Sequence, residues 1–230
     1  MLKVLKFKSK DQNIWFTSDL HWNHNPKWEI PIWKSRGFSS VEESNEFTIS
    51  KINEVVKEYD ILFSLGDLTL NCSEEEFESF IGRINCKNIY SLWGNHPNPM
   101  AKIYKREVLN YLTGITNDPN SLDEHLLYRE LEIYPFRYKN IIFIGHHAEI
   151  IVDKQYITLN HYPIHIFNHM SGESWCLCGH SHLEFIPSRP HHPTQKLLDV
   201  GWDGYLQPLS FKTVSDIMSK KTYVKVDKNH

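Results

Sequence analysis

The apolar positions of this chain change their period along its length, and each change predicts the start of a new element. Residues 13–18, 60–65 and 88–92 are short runs of apolar and β-branched side chains, which is the composition of buried strands. The segments 40–59 and 73–84 carry apolar side chains three or four positions apart, as helices with one buried face do. Strands that alternate with helices predict a parallel or mixed sheet.

The first two predicted helices each begin at a capping box, in which a serine and a glutamate three residues later satisfy each other's backbone N–H groups. Ser40 pairs with Glu43 in one helix, and Ser73 pairs with Glu76 in the other. The apolar face of the first helix is expected to extend to Tyr59. Elsewhere the pattern predicts an edge strand over 2–8, a helix over 100–112, strands over 141–144, 149–152, 156–159, 175–178 and 196–200, a turn over 201–204, and a short helix over 210–220.

Side chains that bind metals or transfer protons follow each of the first three strands. Asp19 and His21 come directly after the first strand, Asp67 after the second, and Asn95 and His96 after the third. Because the carboxyl ends of neighbouring parallel strands meet at one edge of a sheet, we expect these side chains to lie together.

Two later predicted strands also end in histidines. His161 follows one of them, and His180 and His182 follow the other. Gly179 allows the backbone to leave the strand, so that both imidazoles of the pair can turn toward neighbouring points. Neutral imidazole is the commonest metal ligand in proteins, and the 14 histidines of this chain favour a metal site.

Composition narrows the class of protein. Hydrophobic residues make up 40% and charged residues 23% of the 230 positions, which is ordinary for a globular protein, and we expect one domain over residues 1–230. The net charge of -3 argues against binding to nucleic acid or to a membrane mainly through bulk charge, so no stable nucleic-acid complex is expected. The sequence shows neither a signal-peptide pattern nor a run of ~18 apolar residues, so we expect a cytoplasmic protein without a membrane span.

The four cysteines form no CxxC pair, and we expect free thiols in a reducing compartment. The alternative is a zinc knuckle built on Cys176 and Cys178 beside the histidine pair. We disfavour it because the spacing does not suit a tetrahedral Cys/His finger.

The motifs, taken in order, resemble the signature of the calcineurin-like metallophosphoesterase superfamily, which reads D-x-H, G-D, G-N-H, H and G-H-x-H. In this chain they are Asp19-Leu20-His21, Gly66-Asp67, Gly94-Asn95-His96, His161 and Gly179-His180-Ser181-His182. Each motif is short, but five in sequence over most of the chain form a specific signal. The loop at 22–38 and the run Val-Gly-Trp-Asp-Gly-Tyr at 200–205 also resemble a small bacterial and phage branch of that superfamily.

The resemblance implies an α/β (α+β) fold, a four-layer α/β/β/α sandwich with two mixed β-sheets and the site at the strand ends. It also implies two divalent metal ions. The ligand sets that it implies are Asp19, His21 and His182 for the first ion, Asn95, His161 and His180 for the second, and Asp67 for both. His96 is expected to reach the scissile phosphate without binding metal.

The implied chemistry is hydrolysis of a phosphate ester by in-line attack of a hydroxide that bridges the two ions. Ligands that offer only nitrogen and oxygen favour Mn, Fe or Zn. The implied catalytic residues are Asp67, Asn95, whose neutral amide limits the negative charge, and His96, which protonates the leaving group. Pro97 stands where the superfamily usually has an acidic residue beside this histidine, and Asp67 or Glu149 could take that role.

The loop after the first motif contains candidate substrate contacts. His24 and Arg36 are candidate substrate-binding residues, because hydrogen-bonding or cationic loop side chains can hold a phosphate. Trp22, Trp28 and Trp33 could stack on a nucleobase, although packing in the core or at its rim is the favoured use.

We favour a phosphodiesterase that acts on a nucleotide-type substrate over a phosphomonoesterase. Asp67 is followed by Leu-Thr-Leu and not by the Asp-Arg-Gly of the Ser/Thr protein phosphatases, which disfavours that activity. The non-enzymatic alternative is a scaffold that keeps the fold, but such proteins tend to lose motif residues that are all present here. His146 and His147 are alternatives to His161, which we favour because it ends a strand and precedes Tyr-Pro, as in the superfamily.

Overall fold

Two β-sheets packed face to face form the centre of the molecule. The computed structural model describes residues 4–27, 29–96, 99, 102–107 and 135–223. Both sheets combine parallel and antiparallel strands, and helices flank them. The predicted α/β fold with two mixed sheets is therefore confirmed.

The larger sheet has six strands: β2 (Ile14–Thr17), β3 (Ile61–Ser64), β4 (Asn88–Ser91), β5 (Phe136–Tyr138), β6 (Ile141–Phe143) and β11 (Leu209–Ser210). Their order across the sheet is β11-β2-β3-β4-β6-β5. The four central strands are parallel, and β11 and β5 run antiparallel at the two edges.

The smaller sheet has five strands: β1 (Leu5–Phe7), β7 (His147–Val152), β8 (Gln155–Asn160), β9 (Trp175–Cys178) and β10 (Leu197–Asp199). They lie in chain order, with β1 at an edge as predicted. Strands β8, β9 and β10 are parallel, and β7 pairs with β8 in antiparallel fashion.

Alternate residues of both sheets fill the space between them. Phe16 and Phe63 of the larger sheet stack with their ring centroids 5.5 Å apart. Both rings belong to one buried cluster with Ile150 and Leu177 of the smaller sheet. Because burial of a side chain of this size contributes about 1.5–3 kcal/mol, this cluster holds the two sheets together.

The described helices are α1 (Ile32–Ser35), α2 (Val41–Val55), α3 (Glu74–Arg83), α4 (Trp202–Tyr205) and α5 (Phe211–Met218), and residues 102–107 are also helical. Helices α2 and α3 cover the outer face of the larger sheet, where Ile52 and Phe77 belong to one buried cluster with Leu62. Phe167 and Met170 cover part of the outer face of the smaller sheet.

Both predicted capping serines are confirmed. Ser40 Oγ accepts a hydrogen bond from Glu43 N at 3.1 Å, and Ser73 Oγ accepts one from Glu76 N at 3.2 Å. Glu76 Oε2 completes its box by accepting from Ser73 N at 2.7 Å. The box at α2 differs, because Glu43 accepts from Ser39 N at 2.7 Å instead of from the cap residue.

Three predictions differ in detail from the structure. Helix α2 ends at Val55, and Tyr59 is 74% exposed, so the apolar face does not extend that far. Residues 202–204 of the turn predicted over 201–204 form most of α4. Strands β5 and β11 were not predicted, because they are too short to show a period in the sequence. Of the helix predicted over 100–112, residues 102–107 are helical and the others lie outside the described part of the chain, as does the turn expected at 117–120.

The cysteines are free, as predicted. Cys86, Cys176 and Cys178 are buried and Cys72 is half-buried. Burial raises the pKa of Cys176 to about 12, so this thiol stays protonated and unsuited to metal binding. Among the described residues, no helix is both long and apolar enough to cross a membrane.

We expect Ser73→Ala to lower the free energy of unfolding by about 1 kcal/mol, because it removes the acceptor for the N–H of Glu76 at the start of α3. Urea unfolding followed by circular dichroism measures the change. Ser79→Ala, at an exposed position of the same helix, is the matched control and should stay within about 0.5 kcal/mol of the wild type. Equal losses in both variants would contradict the capping role.

Candidate metal centre

The predicted ligands lie where the parallel strands of both sheets end. In the larger sheet β2, β3 and β4 lead into the first three motifs, and in the smaller sheet β8 and β9 lead into the last two. Because the sheets pack face to face, the loops of both meet at one edge. The structure brings together all seven predicted ligands, which are Asp19, His21, Asp67, Asn95, His161, His180 and His182.

Most of these residues have an uncommon backbone conformation. Five of the seven lie in the left-handed region, with φ between 47° and 65°: Asp19, His21, Asp67, His180 and His182. This conformation costs a residue with a side chain on the order of 1–3 kcal/mol and persists only where its surroundings enforce it. Its repetition at the ends of three strands is typical of a functional site.

Asp19, His21 and His182 form the first group. One ligand atom from each lies within 4.8 Å of the other two. The imidazoles of His21 and His182 stack with their centroids 5.3 Å apart. Asp19 and His21 are 0% and 5% exposed, whereas the side chain of His182 is 33% exposed, so the group is buried on one side and open on the other.

The buried donor atoms of this group fit a metal ion. Asp19 Oδ1 and both ring nitrogens of His21 have no hydrogen-bond partner among the described residues. Unpartnered polar atoms are costly inside a protein, and a coordinated cation would satisfy them. Carboxylate oxygen and imidazole nitrogen are also the donors that divalent transition metals prefer.

Asn95, His161 and His180 form the second group around an amide oxygen. Asn95 Oδ1 lies 2.7 Å from His161 Nε2 and 2.8 Å from His180 Nδ1. The other ring nitrogen of His161, Nδ1, lies 2.9 Å from the carbonyl oxygen of Leu65. That contact keeps Nε2 directed into the site, so the donor atoms of all three side chains converge.

Asp67 lies between the two groups. Its Oδ2 is 3.9 Å from His21 Nε2 in the first group and 3.3 Å from His161 Nε2 in the second. Asp67 also shares a candidate metal cluster with Asp19. This is the position that a ligand common to two ions requires.

Burial and neighbouring charges set the protonation of the site. Burial raises the pKa of Asp19 to about 6 and lowers that of His21 well below its usual range, which keeps this imidazole neutral. Burial also opposes ionisation of Asp67, but the hydrogen bond and charge of His161, with the charge of His21, lower its pKa to about 2. The shared carboxylate is therefore ionised and ready to bind cations.

His96 lies at the rim of the site. Its backbone N–H donates to Asp67 Oδ1 at 3.1 Å, and its ring Nε2 lies 3.8 Å from Asp67 Oδ2. The side chain is 40% exposed, so the ring is open to a substrate. Glu149, the other carboxylate considered as its partner, instead accepts a hydrogen bond from Asn168 at 3.2 Å.

The two candidate substrate-binding residues have a different use in the structure. His24 Nδ1 accepts from the backbone N–H of Ile32 at 2.9 Å, and its Nε2 lies 3.3 Å from Glu29. The side chain of Arg36 is 2% exposed. Its guanidinium donates two hydrogen bonds to Asp203 and two more to backbone carbonyl oxygens. Both side chains fix the loop that contains them, which is a correction to the predicted substrate contacts.

The tryptophans of that loop divide between core and surface. Trp22 is buried and stacks on Phe80 with centroids 4.9 Å apart, so it packs in the core, the use that the sequence favoured. Trp33 is half-buried and its ring is contacted by the ammonium group of Lys34. Trp28 lies outside the described residues.

Two aspartates that were not predicted as site residues hold His182 and the residues on either side of it. Asp203 Oδ2 accepts from His182 Nδ1 at 2.6 Å, which raises the pKa of that imidazole. Asp199 accepts from Ser181 Oγ at 2.6 Å and from Leu183 N at 3.1 Å, on either side of the same histidine. The run at 200–205, which contains Asp203, was noted in the sequence for its resemblance to a branch of the superfamily. The sequence did not show that Asp203 contacts His182.

Glycines allow the loops to approach one another closely. A Cβ placed on Gly94 would lie 1.8 Å from Asp67 Oδ1 and 2.5 Å from its backbone nitrogen, and one on Gly179 would lie 2.3 Å from Asp19 Oδ2. Distances this short exclude any side chain unless the neighbouring loop, with its carboxylate, moves. The glycines of the G-N-H and G-H-x-H motifs are therefore required by the positions of the two carboxylates.

We expect Gly94→Ala to weaken metal binding at least tenfold, because the added methyl group displaces the Asp67 carboxylate that both ligand groups share. Titration with Mn²⁺ in the presence of a chromophoric chelator measures the affinity. Gly82→Ala is the matched control, since a Cβ there meets nothing within 4 Å. Unchanged metal affinity in Gly94→Ala would contradict the geometry described for Asp67.

Comparisons with known proteins agree with this site. A family model described as calcineurin-like phosphoesterase matches residues 12–184, which include all seven predicted ligands. An uncharacterized protein of Methanocaldococcus jannaschii is 29% identical over 136 residues, which are 59% of this chain and 69% of the relative. The crystal structure of a protein of unknown function from Aquifex aeolicus aligns with a TM-score of 0.55 at 15% identity, over 90% of this chain and 99% of that one.

The structural likeness, at that identity, supports the fold alone. The family model extends over well more than half of the chain, and the clusters of aspartate and histidine support a metal-dependent phosphoester hydrolase. This chain belongs to the calcineurin-like phosphoesterase family.

Proposed function

We propose that this protein is a dinuclear metal-dependent phosphodiesterase that hydrolyses nucleotide-type phosphate esters. The position of Asp67 carries the proposal, because its carboxylate lies 3.9 Å from His21 Nε2 and 3.3 Å from His161 Nε2. One ionised carboxylate between two sets of donors suits a pair of divalent cations. Family membership supplies the reaction class, the cleavage of a phosphate ester.

The proposed ligands are Asp19, His21 and His182 for the first ion, Asn95, His161 and His180 for the second, and Asp67 for both. When bound, the two ions supply positive charge to the phosphoryl oxygens and lower the pKa of an attacking water. The nitrogen and oxygen donors favour Mn, Fe or Zn. The neutral amide of Asn95 limits the negative charge that would otherwise reduce the Lewis acidity of the pair.

His96 provides the proton for the leaving group. Its ring is 40% exposed, and one of its nitrogens lies within 4.8 Å of donor atoms of His21 and Asp67 without belonging to either proposed ligand set. The residue after His96 is Pro97, which cannot serve as an acidic neighbour of the imidazole. The carboxylate of Asp67 takes that place in this chain. A proton on His96 can pass to the departing alkoxide, as general acids do.

The charges of the described site favour a diester. A phosphate monoester has two negative charges near neutral pH, and a diester has one. Arg36 lies against the site, but its guanidinium binds the Asp203 carboxylate and two backbone carbonyls. It therefore cannot also neutralise the second charge of a monoester.

An aromatic ring at the rim supports a nucleotide-type substrate. Tyr162 is 47% exposed, and its ring lies 4.5 Å from the ring of His180. Stacking of a base on an exposed aromatic ring contributes about 1–3 kcal/mol. Tyr162 thus offers an exposed ring on which a base can stack, whereas Trp22 is buried and cannot.

The proposal is tested by metal analysis and substrate turnover on one sample. We expect about two metal ions per chain after reconstitution with Mn²⁺. We also expect faster turnover of bis-p-nitrophenyl phosphate, a diester, than of p-nitrophenyl phosphate, a monoester.

The other results each have a distinct meaning. Faster cleavage of the monoester would make the protein a phosphomonoesterase. Two metal ions with cleavage of neither ester would favour a scaffold that has kept the fold without its chemistry. A reconstituted protein that binds no metal would show the ligand assignment to be wrong.

We expect His96→Ala to keep both metal ions but to lower kcat by about 10²- to 10⁴-fold, the contribution of a general acid, for a diester with a weakly acidic leaving alcohol. The loss should be smaller for a diester with a more acidic leaving alcohol, because that alcohol departs without a proton. Metal analysis and kinetics on two esters of different leaving groups measure both effects.

Two comparison variants make that result interpretable. His191→Ala, at an exposed histidine of the loop after β9, should leave kcat unchanged. Asp67→Asn should lose metal as well as activity, since it alters the shared ligand. If His96→Ala also lost metal, His96 would be a ligand and the proposed role would be wrong.

A further inference from the structure

Arg36 lies buried in the wall of the first ligand group. Its side chain is 2% exposed. Its Nη2 donates to the carbonyl oxygen of Asp19 at 2.7 Å, and its Nη1 donates to that of Leu20 at 2.8 Å. These two carbonyls belong to the D-x-H motif, so the guanidinium holds the backbone from which Asp19 and His21 project.

The same guanidinium holds a carboxylate on the third member of the group. Arg36 Nε and Nη2 each donate to an oxygen of Asp203 at 2.9 Å. Asp203 Oδ2 also accepts from His182 Nδ1, at 2.6 Å. A two-point pair of this kind fixes the orientation of both partners, because the planar fork of arginine matches the carboxylate.

From these contacts we propose that Arg36 and Asp203 are positioning residues for the first metal ion and not for the second. The inference rests on the ligand sets of the proposed function. Arg36 fixes the backbone beside Asp19 and His21, and Asp203 fixes the ring of His182. Among the described contacts of this pair, none reaches a proposed ligand of the second ion.

The contact with Asp203 determines which nitrogen of His182 can bind metal. Because Asp203 Oδ2 accepts from Nδ1, the proton of the neutral ring resides there and the lone pair resides on Nε2. Mutation of a carboxylate that orients a metal-binding histidine in this way typically lowers metal affinity or activity by 10–100-fold.

The backbone of the D-x-H motif needs support from outside the motif. Asp19 and His21 both have left-handed φ angles, 55° and 47°, which local sequence does not favour. The two N–H groups of Arg36 bind carbonyls in this segment. A lysine at this position keeps the charge but cannot reach two carbonyls and a carboxylate together.

The first test is Asp203→Asn. Oδ2 of Asp203 accepts from both His182 Nδ1 and Arg36 Nη2, and Oδ1 accepts from Arg36 Nε, so the NH₂ group of the amide faces either Arg36 Nε or the other two donors. Either orientation of the amide breaks at least one contact of Arg36. We expect one of the two metal ions to bind 10- to 100-fold more weakly and the other to bind as in the wild type. Stepwise Mn²⁺ titration against a chromophoric chelator measures the two affinities separately.

The second test is Arg36→Lys, with Arg83→Lys as its matched control. Arg83 also binds a carboxylate with two N–H groups, those of Glu46, but on the exposed surface of α3. We expect Arg36→Lys to weaken the same single ion, and Arg83→Lys to leave both affinities unchanged. Thermal unfolding of the metal-free proteins shows whether each variant is folded.

A separate readout concerns His182 itself and needs no metal. In metal-free protein, at a pH where the ring is neutral, ¹⁵N NMR of the imidazoles should place the proton of His182 on Nδ1. In Asp203→Ala, which removes the acceptor entirely, a substantial share of the proton should move to Nε2. An unchanged tautomer in that variant would contradict the proposed orientation.

The outcomes separate this inference from the proposed function. Equal weakening of both ions, or of neither, would overturn it, as would failure of both variants to fold while Arg83→Lys folds normally. If the wild type binds two ions but cleaves neither ester, the proposed function fails and the titration still decides the inference. If it binds none, the tautomer of His182 still tests the orienting role of Asp203.

Discussion

The site depends on the face-to-face packing of the two sheets, because neither sheet provides a complete ligand set. Asp19 and His21 come from the larger sheet and His182 from the smaller, while the second set takes Asn95 from the larger sheet and two histidines from the smaller. A slide of one sheet over the other would separate the donors. The buried cluster between the sheets resists such a slide, so hydrophobic packing fixes the geometry of a polar site.

Hydrogen bonds between the loops offset the backbone strain within them. The N–H of Asp19 donates to Gly66 O at 3.1 Å, and that of His21 donates to Asp67 O at 2.9 Å. The N–H of His180 donates to Asp19 Oδ2 at 2.9 Å, across the gap between the sheets. Each strained loop is thus held by its neighbours, which explains how several left-handed residues can persist together.

The convergence of the proposed ligands could be predicted from the sequence because each follows a strand whose pattern is itself visible, and parallel strands bring their ends together. The contacts that support the ligands from outside the motifs could not be predicted from the sequence. Arg36 and Asp203 are 167 residues apart, and nothing in the period of either segment shows that they meet. His24 and Arg36 looked like phosphate contacts because charge and hydrogen-bonding capacity are visible in a sequence, whereas burial and existing partners are not.

The burial of Arg36 also affects what the site can select. An exposed arginine could discriminate between substrates by their charge, whereas a buried arginine must be paired. The described partners of Arg36 are a carboxylate and two carbonyl oxygens of the protein itself. In the proposed function, selection is then left to the metal ions, which recognise the phosphoryl group common to all esters, and to the exposed rim. His96 and Tyr162 form part of that rim, and both present aromatic rings to the substrate. Recognition at such a rim depends more on the shape and stacking of the esterified group than on its charge.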